Sequence, residues 1–219
     1  MKPVSQPVRV RTFKQHPGRR AKTARQGRRG LHEFMECFQG ISGFRTVVGL
    51  PEFKTIYGEV TEAGIQVLSD KFKALKQGRV FYDLGCGVGK VVLGMAFLNQ
   101  NIQCRGVEIV PERVRSGQQA LERVGGKIAK RVEIRTGSVL DSGIVNLADA
   151  DWVFFSNMCL DSATNEGVVR GLDAMKPGGI VICSRELSVS QSKFHLIEKI
   201  IVPMTWSSSS MCCVYRCVI

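Results

Sequence analysis

Phe81-Tyr82-Asp83-Leu84-Gly85-Cys86-Gly87-Val88-Gly89-Lys90-Val91-Val92 reads as the end of an apolar strand, three glycines at alternate positions, and the opening of an apolar helix. A loop of this kind lets a ligand approach the backbone closely at the positive end of the helix. Two ligand classes use such a loop. A dinucleotide fold requires G-x-G-x-x-G, and the sixth position here is Lys90, not glycine. Asp83, two residues before the first glycine, opposes a pyrophosphate and suits a ligand with a cationic amino-acid end. S-adenosyl-L-methionine is such a ligand, with an ammonium and a sulfonium. A second acid strengthens the reading: Glu108 ends the next strand in Gly106-Val107-Glu108, where a carboxylate accepts ribose hydroxyls.

Outward from the loop the chain alternates between two periodicities. Val60 to Leu75 carries Ile65, Leu68, Phe72 and Leu75 at helical spacing, and Gly78 stops it. Val80-Phe81-Tyr82 is a strand, Lys90 to Leu98 a helix, and Ile102 to Glu108 a second strand. Pro111 suits the first turn of a helix that ends at Gly125-Gly126. Val132 to Ile134 and Asp151 to Ser156 are further strands, followed by a helix over 164–175, a turn at 176–179 and a strand Ile180 to Cys183. Residues 197–204 and 211–219 form a hairpin around Ser207 to Ser210. Alternation of this kind predicts an α/β fold, a doubly wound and mostly parallel sheet with a C-terminal antiparallel hairpin strand.

The charge is unevenly placed. Residues 1–30 hold ten Lys or Arg and no acid, while the other 21 basic residues face 19 acidic ones. A basic arm with prolines and few large apolar residues is expected to be disordered when free. Residues 31–53 read as a short helix and linker, and 54–219 as the folded domain. The eight cysteines form no CxxC pair and sit mostly in strand-like apolar runs, as reduced core residues do, so no metal is expected. No apolar run approaches the roughly 18 residues that span a bilayer, so no membrane partner is expected.

Four segments carry a family resemblance: Ile56-Tyr57-Gly58-Glu59, the loop from Phe81 to Val92, Gly106-Val107-Glu108, and Phe155-Ser156-Asn157. Over roughly 53–219 the chain resembles the disruptor-of-telomeric-silencing family, the non-SET enzymes that methylate a lysine on the folded core of histone H3. The resemblance implies a class I methyltransferase (Rossmann-like) fold and S-adenosyl-L-methionine as cofactor. It implies that Tyr57, Gly58, Glu59 and Val60 close over the cofactor. Phe81, Tyr82, Asp83, Leu84, Gly85, Cys86, Gly87, Val88, Gly89 and Lys90 then form the main cofactor loop. Glu108 holds the ribose. Ser138 and Val139 hold the adenine side, with Ser138 in place of the family's usual Asp. Where the family has an Asn-Asn pair beside the methyl group this chain has Ser156-Asn157, which makes Asn157 the expected catalytic residue and Ser156 the alternative, with Tyr57 and Trp206 beside it. Lys90 replaces a polar uncharged residue.

A lysine acceptor must lose its proton, and its ordinary pKa is about 10.4. The three histidines, His16, His32 and His195, lie outside every motif and supply no dedicated base. An apolar channel, with Phe155 and Trp206 as walls, lowers a lysine pKa by desolvation. The implied partner is the nucleosome, histone H3 for the active site and DNA phosphates for the arm, which implies a nuclear location. The competing reading is an RNA or other nucleic-acid methyltransferase that uses the arm on its substrate. Enzymes acting on nucleobase amines carry an Asp/Asn-Pro-Pro-Tyr/Phe run after the fourth strand, and Ser156-Asn157-Met158-Cys159 is a different sequence.

Overall fold

The structure is a computed structural model and describes residues 30–44, 56–190 and 192–219. The basic arm up to residue 29 and the loop expected near Pro51 lie outside the described residues. The sheet has seven strands: β1 (Val80–Leu84), β2 (Gln103–Glu108), β3 (Val132–Thr136), β4 (Trp152–Phe155), β5 (Ile180–Cys183), β6 (Phe194–Ile201) and β7 (Met211–Cys217). Their order is β3-β2-β1-β4-β5-β7-β6. Strands β1 to β5 pair in parallel, and β7 joins β5 antiparallel with β6 at the edge. The strand order reverses between β1 and β4. A crevice for a ligand opens at such a switch point, outside the carboxyl ends of the strands.

Among the described residues, beside a helical segment at 30–35, five helices connect and cover the sheet: α1 (Glu62–Leu75), α2 (Lys90–Leu98), α3 (Pro111–Val124), α4 (Gly126–Ala129) and α5 (Ser162–Leu172). Local chemistry sets their ends. Thr61 caps α1 by accepting from Gly64 N at 3.2 Å, and Pro111 opens α3. Asp161 caps α5 through Thr164 N at 2.7 Å, which starts that helix two residues before the sequence pattern suggests. The short α4 is absent from that pattern, because its two leading glycines read as a loop. Strand β6 starts earlier than expected, because a register shift between Leu196 and Glu198 breaks the alternation from which strands are read.

The core lies on both faces of the sheet. On one face Phe72 of α1 stacks on Trp152 of β4 at 5.2 Å and meets Phe81 edge-on at 5.8 Å. The helical residues 30–35 and the 3-10 turn Glu36–Phe38 belong to this side. They bury Leu31, Met35 and Phe38 in the same cluster as α2, and Phe34 stacks on Phe97 at 4.4 Å. The other face buries Tyr82, Phe155, Val181 and Tyr215 against Val168 and Leu172 of α5. All eight cysteines are free thiols. Among the described residues no helix is long and apolar enough to cross a membrane.

If residues 30–38 are a fixed part of the core, Leu31→Ala lowers stability by about 2–5 kcal/mol in urea unfolding. An unchanged midpoint would show that the segment is not docked.

Candidate active site

At the switch point lies a cavity of about 400 Å³, with Tyr57, Asp83, Gly85, Glu108, Ser138, Ser156 and Trp206 in its lining. Its floor is the end of β1 and the glycine loop. Asp83 is buried, and no hydrogen bond reaches its carboxyl from the described residues. Burial, with the nearby Glu108 carboxylate second, pushes its pKa up to about 8. A buried carboxyl left without a partner is costly unless a ligand supplies one. Gly85 has a φ of +86°, and a Cβ added to it meets nothing within 4 Å, so the missing side chain leaves a cradle beside Asp83.

The loop's own amides are already used. Gly85 N and Cys86 N donate to Val107 O at 2.8 and 3.0 Å, and Gly87 N donates to Glu108 Oε2 at 2.9 Å. These donors are therefore not aimed at a phosphate, which separates the loop from a pyrophosphate cradle. Glu108 Oε1 accepts from Val110 N at 3.0 Å, so one carboxylate ties the glycine loop to the start of α3. Each of its oxygens keeps a lone pair for a ligand hydroxyl.

The roof comes from far upstream. The ring of Tyr57 lies between two glycines: a Cβ at Gly43 would stand 2.2 Å from it, and one at Gly87 2.5 Å. Gly87 also has a φ of +56°. Tyr57 Oη donates to Glu59 Oε1 at 2.8 Å, and Val88 N donates to Tyr57 Oη at 3.4 Å. Burial and the Glu59 charge push the phenol far above its ordinary value, so it stays protonated and acts as a donor. Lys90 reaches Glu59 Oε2 at 2.6 Å, so the residue that breaks the dinucleotide pattern latches the roof to α2.

The roof has a second attachment. Glu59 N donates to Thr205 Oγ1 at 3.0 Å, and Thr205 N donates to Glu59 O at 2.8 Å. Val60 bridges to Met204, and Trp206 lies so close over Gly58 that a Cβ there would stand 2.3 Å from its ring. Trp206 is half exposed at the rim.

The far wall separates the two residues of the Ser156-Asn157 pair. Ser156 lines the cavity, with Oγ 3.3 Å from Ser184 Oγ. Asn157 is 1% exposed and does not line the cavity. Its Nδ2 donates to Asn165 Oδ1 at 3.0 Å and its Oδ1 accepts from Arg185 N at 2.8 Å, so its amide ties the end of β4 to α5 and to the chain after β5.

The remaining sequence-derived residues divide in a similar way. Gly58, Glu59, Val60, Leu84, Cys86, Gly87, Lys90 and Val139 line the cavity. Ser138 Oγ accepts from Leu140 N at 3.2 Å, which leaves its own proton to donate. Phe81, Tyr82, Val88 and Gly89 support the loop from behind; Tyr82 accepts from Arg105 at 2.6 Å, and Gly89 caps α2. Of the two aromatic walls expected, Trp206 faces the cavity, while Phe155 is in the core and Phe154 takes its place. Neither described histidine, His32 nor His195, lines it. Sequence reasoning missed Arg113, Ile109, Asp161 and Thr164 in the lining. The Asp161 cap has a local signal in its spacing to Thr164, whereas Arg113 has none.

Known proteins place this arrangement. The chain matches the family model "Histone methylation protein DOT1" over residues 51–211. It is 24% identical over 173 residues to the "Histone-lysine N-methyltransferase, H3 lysine-79 specific" of Eremothecium gossypii. That match covers 73% of this chain and 30% of the relative, so the chain spans under a third of the relative's length. Two solved structures share the fold. One is the Bacillus subtilis M1A22 tRNA methyltransferase TrmK, with a TM-score of 0.50 and 15% identity over 70% of this chain and 64% of that one. The other is a Clostridium thermocellum protein provisionally described as an rRNA-methylase, with a TM-score of 0.55 and 14% identity over 71% of this chain and 96% of that one. The fold is that of the class I methyltransferases, and S-adenosyl-L-methionine is the methyl donor that family and fold imply. With the match running from just before the Tyr57 roof to the start of β7, the chain belongs to the DOT1 histone methylation family.

Proposed function

We propose that the chain is a histone-lysine N-methyltransferase acting on a lysine of the nucleosomal core of histone H3 in the nucleus. One observation carries the reading. In a member of this family, the roof that covers the cofactor end of the cavity is hydrogen-bonded to the segment bearing Trp206, at its open rim. Cofactor and acceptor ends thus form one compartment.

The residues present fit the cofactor. The unpartnered Asp83 suits its ammonium, the free lone pairs of Glu108 suit the ribose hydroxyls, and Ser138 and Val139 suit the adenine side. The bound cofactor supplies an electrophilic methyl group on its sulfonium. The chain's own contribution is alignment and desolvation. Phe154, Met158, Leu160 and Trp206 give an apolar approach that favours the neutral amine of an incoming lysine, and Ser156 is the polar group placed to orient it. No histidine base is required by this scheme.

Labelled S-adenosyl-L-methionine with nucleosomes, free histones and RNA tests the acceptor. Label is expected on nucleosomal H3; label on RNA alone would overturn the proposal. Gly87→Arg removes the label in every case, since the new side chain meets the Tyr57 ring from a left-handed backbone.

Asp83 provides a test of the cofactor's orientation. A carboxyl raised to about 8 is protonated at neutral pH, and an ammonium beside it favours ionisation, so binding releases a proton. Calorimetry at pH 7 in two buffers of different ionisation enthalpy should differ by about one proton in the wild type, and by none in Asp83→Asn. The sign for stability follows. The folded ligand-free chain binds more protons than the unfolded one between about pH 4 and 8, so this group's contribution falls as pH rises through that window. Equal enthalpies in the wild type would remove Asp83 from the ammonium.

The arm at residues 1–30, with its ten positive charges and no acid, suits DNA phosphates. If about six charges engage, nucleosome affinity should fall with salt at a log–log slope near −5. Deleting residues 1–30 should weaken nucleosome binding and flatten that slope, and an unchanged slope would refute the role.

A further inference from the structure

Arg113 stands in the first turn of α3, is 5% exposed, and lines the cavity. Burying a guanidinium is costly unless its surroundings repay the lost hydration. Three groups around it do so. Its Nε donates to Gly43 O at 3.1 Å, its guanidinium lies 4.4 Å from the centre of the Tyr57 ring, and its Nη1 lies 3.7 Å from Glu108 Oε1. The last distance matters because it is an ion pair without a hydrogen bond. Glu108 already accepts one amide on each oxygen, from Gly87 and from Val110. A positive charge just beyond hydrogen-bonding range attracts the carboxyl group without taking the lone pairs that remain. The same planar group is a shelf under Tyr57, and its bond to Gly43 fixes the other side of that ring's slot.

We infer that Arg113 is a positioning residue: it presents Glu108 to the cofactor's ribose with the remaining lone pairs of both oxygens free, and it seats Tyr57 in the roof. The inference rests on the reading of Glu108 as the ribose ligand. A lysine supplies the charge but neither the plane nor the fork.

The test uses the full chain with S-adenosylhomocysteine and its 2′-deoxyribose analogue, binding measured by calorimetry. The wild type should prefer the ribose form by about tenfold or more, as expected for a hydrogen bond to a charged group. Arg113→Met should bring that preference to within about twofold, while Arg113→Lys should keep most of it and weaken both ligands alike. Merely loosened packing lowers both affinities and leaves the ratio unchanged. Should Arg113→Met not fold, as judged by circular dichroism, Arg113→Gln is read by the same criterion. A wild type with no ribose preference would overturn the Glu108 reading itself. A wild-type preference retained in full by the neutral variant would overturn the role of Arg113 and leave Glu108 in place.

Discussion

The roof of the active site depends on one steric constraint: Tyr57 occupies a slot that exists only because positions 43 and 87 carry no side chain. Gly43 follows the short helix that starts the described chain, and Gly87 is the middle glycine of the loop. The ring therefore joins two segments far apart in sequence, and everything above the loop takes its position from it. Its hydroxyl is held as a donor to Glu59, and Glu59 in turn holds Lys90. The pocket is closed by packing first and by charge second, as expected where short backbone approaches leave no room for alternatives.

The roof is also tied to the far end of the chain. The reciprocal bonds between Glu59 and Thr205, the bridge from Val60 to Met204, and the seat of Trp206 on Gly58 make residues 57–60 and 203–206 one unit. The segment that covers the glycine loop and Trp206 at the rim are therefore held in one fixed relation. A short ladder joins the two ends of the cavity along this side.

Much of this was legible in sequence, for reasons that mark where sequence reading stops. Lys90 to Leu98 and Ile180 to Cys183 are found where periodicity put them, because a glycine stands immediately before each and apolar character is continuous after it. The placement of Asp83, Gly85, Gly87 and Glu108 at the cavity was legible because it follows from position along one strand–loop–helix unit. The sequence favours Asn157 over Ser156 at the methyl group, yet it is Ser156 that lines the cavity, since the outcome depends on which way each side chain turns after β4. Asn157 turns toward Asn165 and Arg185, residues that no local pattern links to it. Arg113 was not legible at all. It looks like one of several charges on an amphipathic helix, and only the fold brings it to Gly43, Tyr57 and Glu108.

The two carboxyls of the site show why one ligand chemistry fits better than others. Glu108 and Asp83 are both buried and close enough to influence each other. Glu108 is compensated by two backbone amides, the positive end of α3 and Arg113. Asp83 receives no hydrogen bond from the described residues, and Glu108 adds to its difficulty in ionising. A ligand that is uniformly anionic would bring no cation to the Asp83 end. A uniformly cationic one would find Glu108 already neutralised. The arrangement favours a molecule with a cation at the Asp83 end and neutral hydroxyls at the Glu108 end, which is the charge pattern of S-adenosyl-L-methionine from its amino acid to its ribose. Among the described residues nothing donates to the Asp83 carboxyl, and on the proposed reading the cofactor's ammonium is the group that meets it.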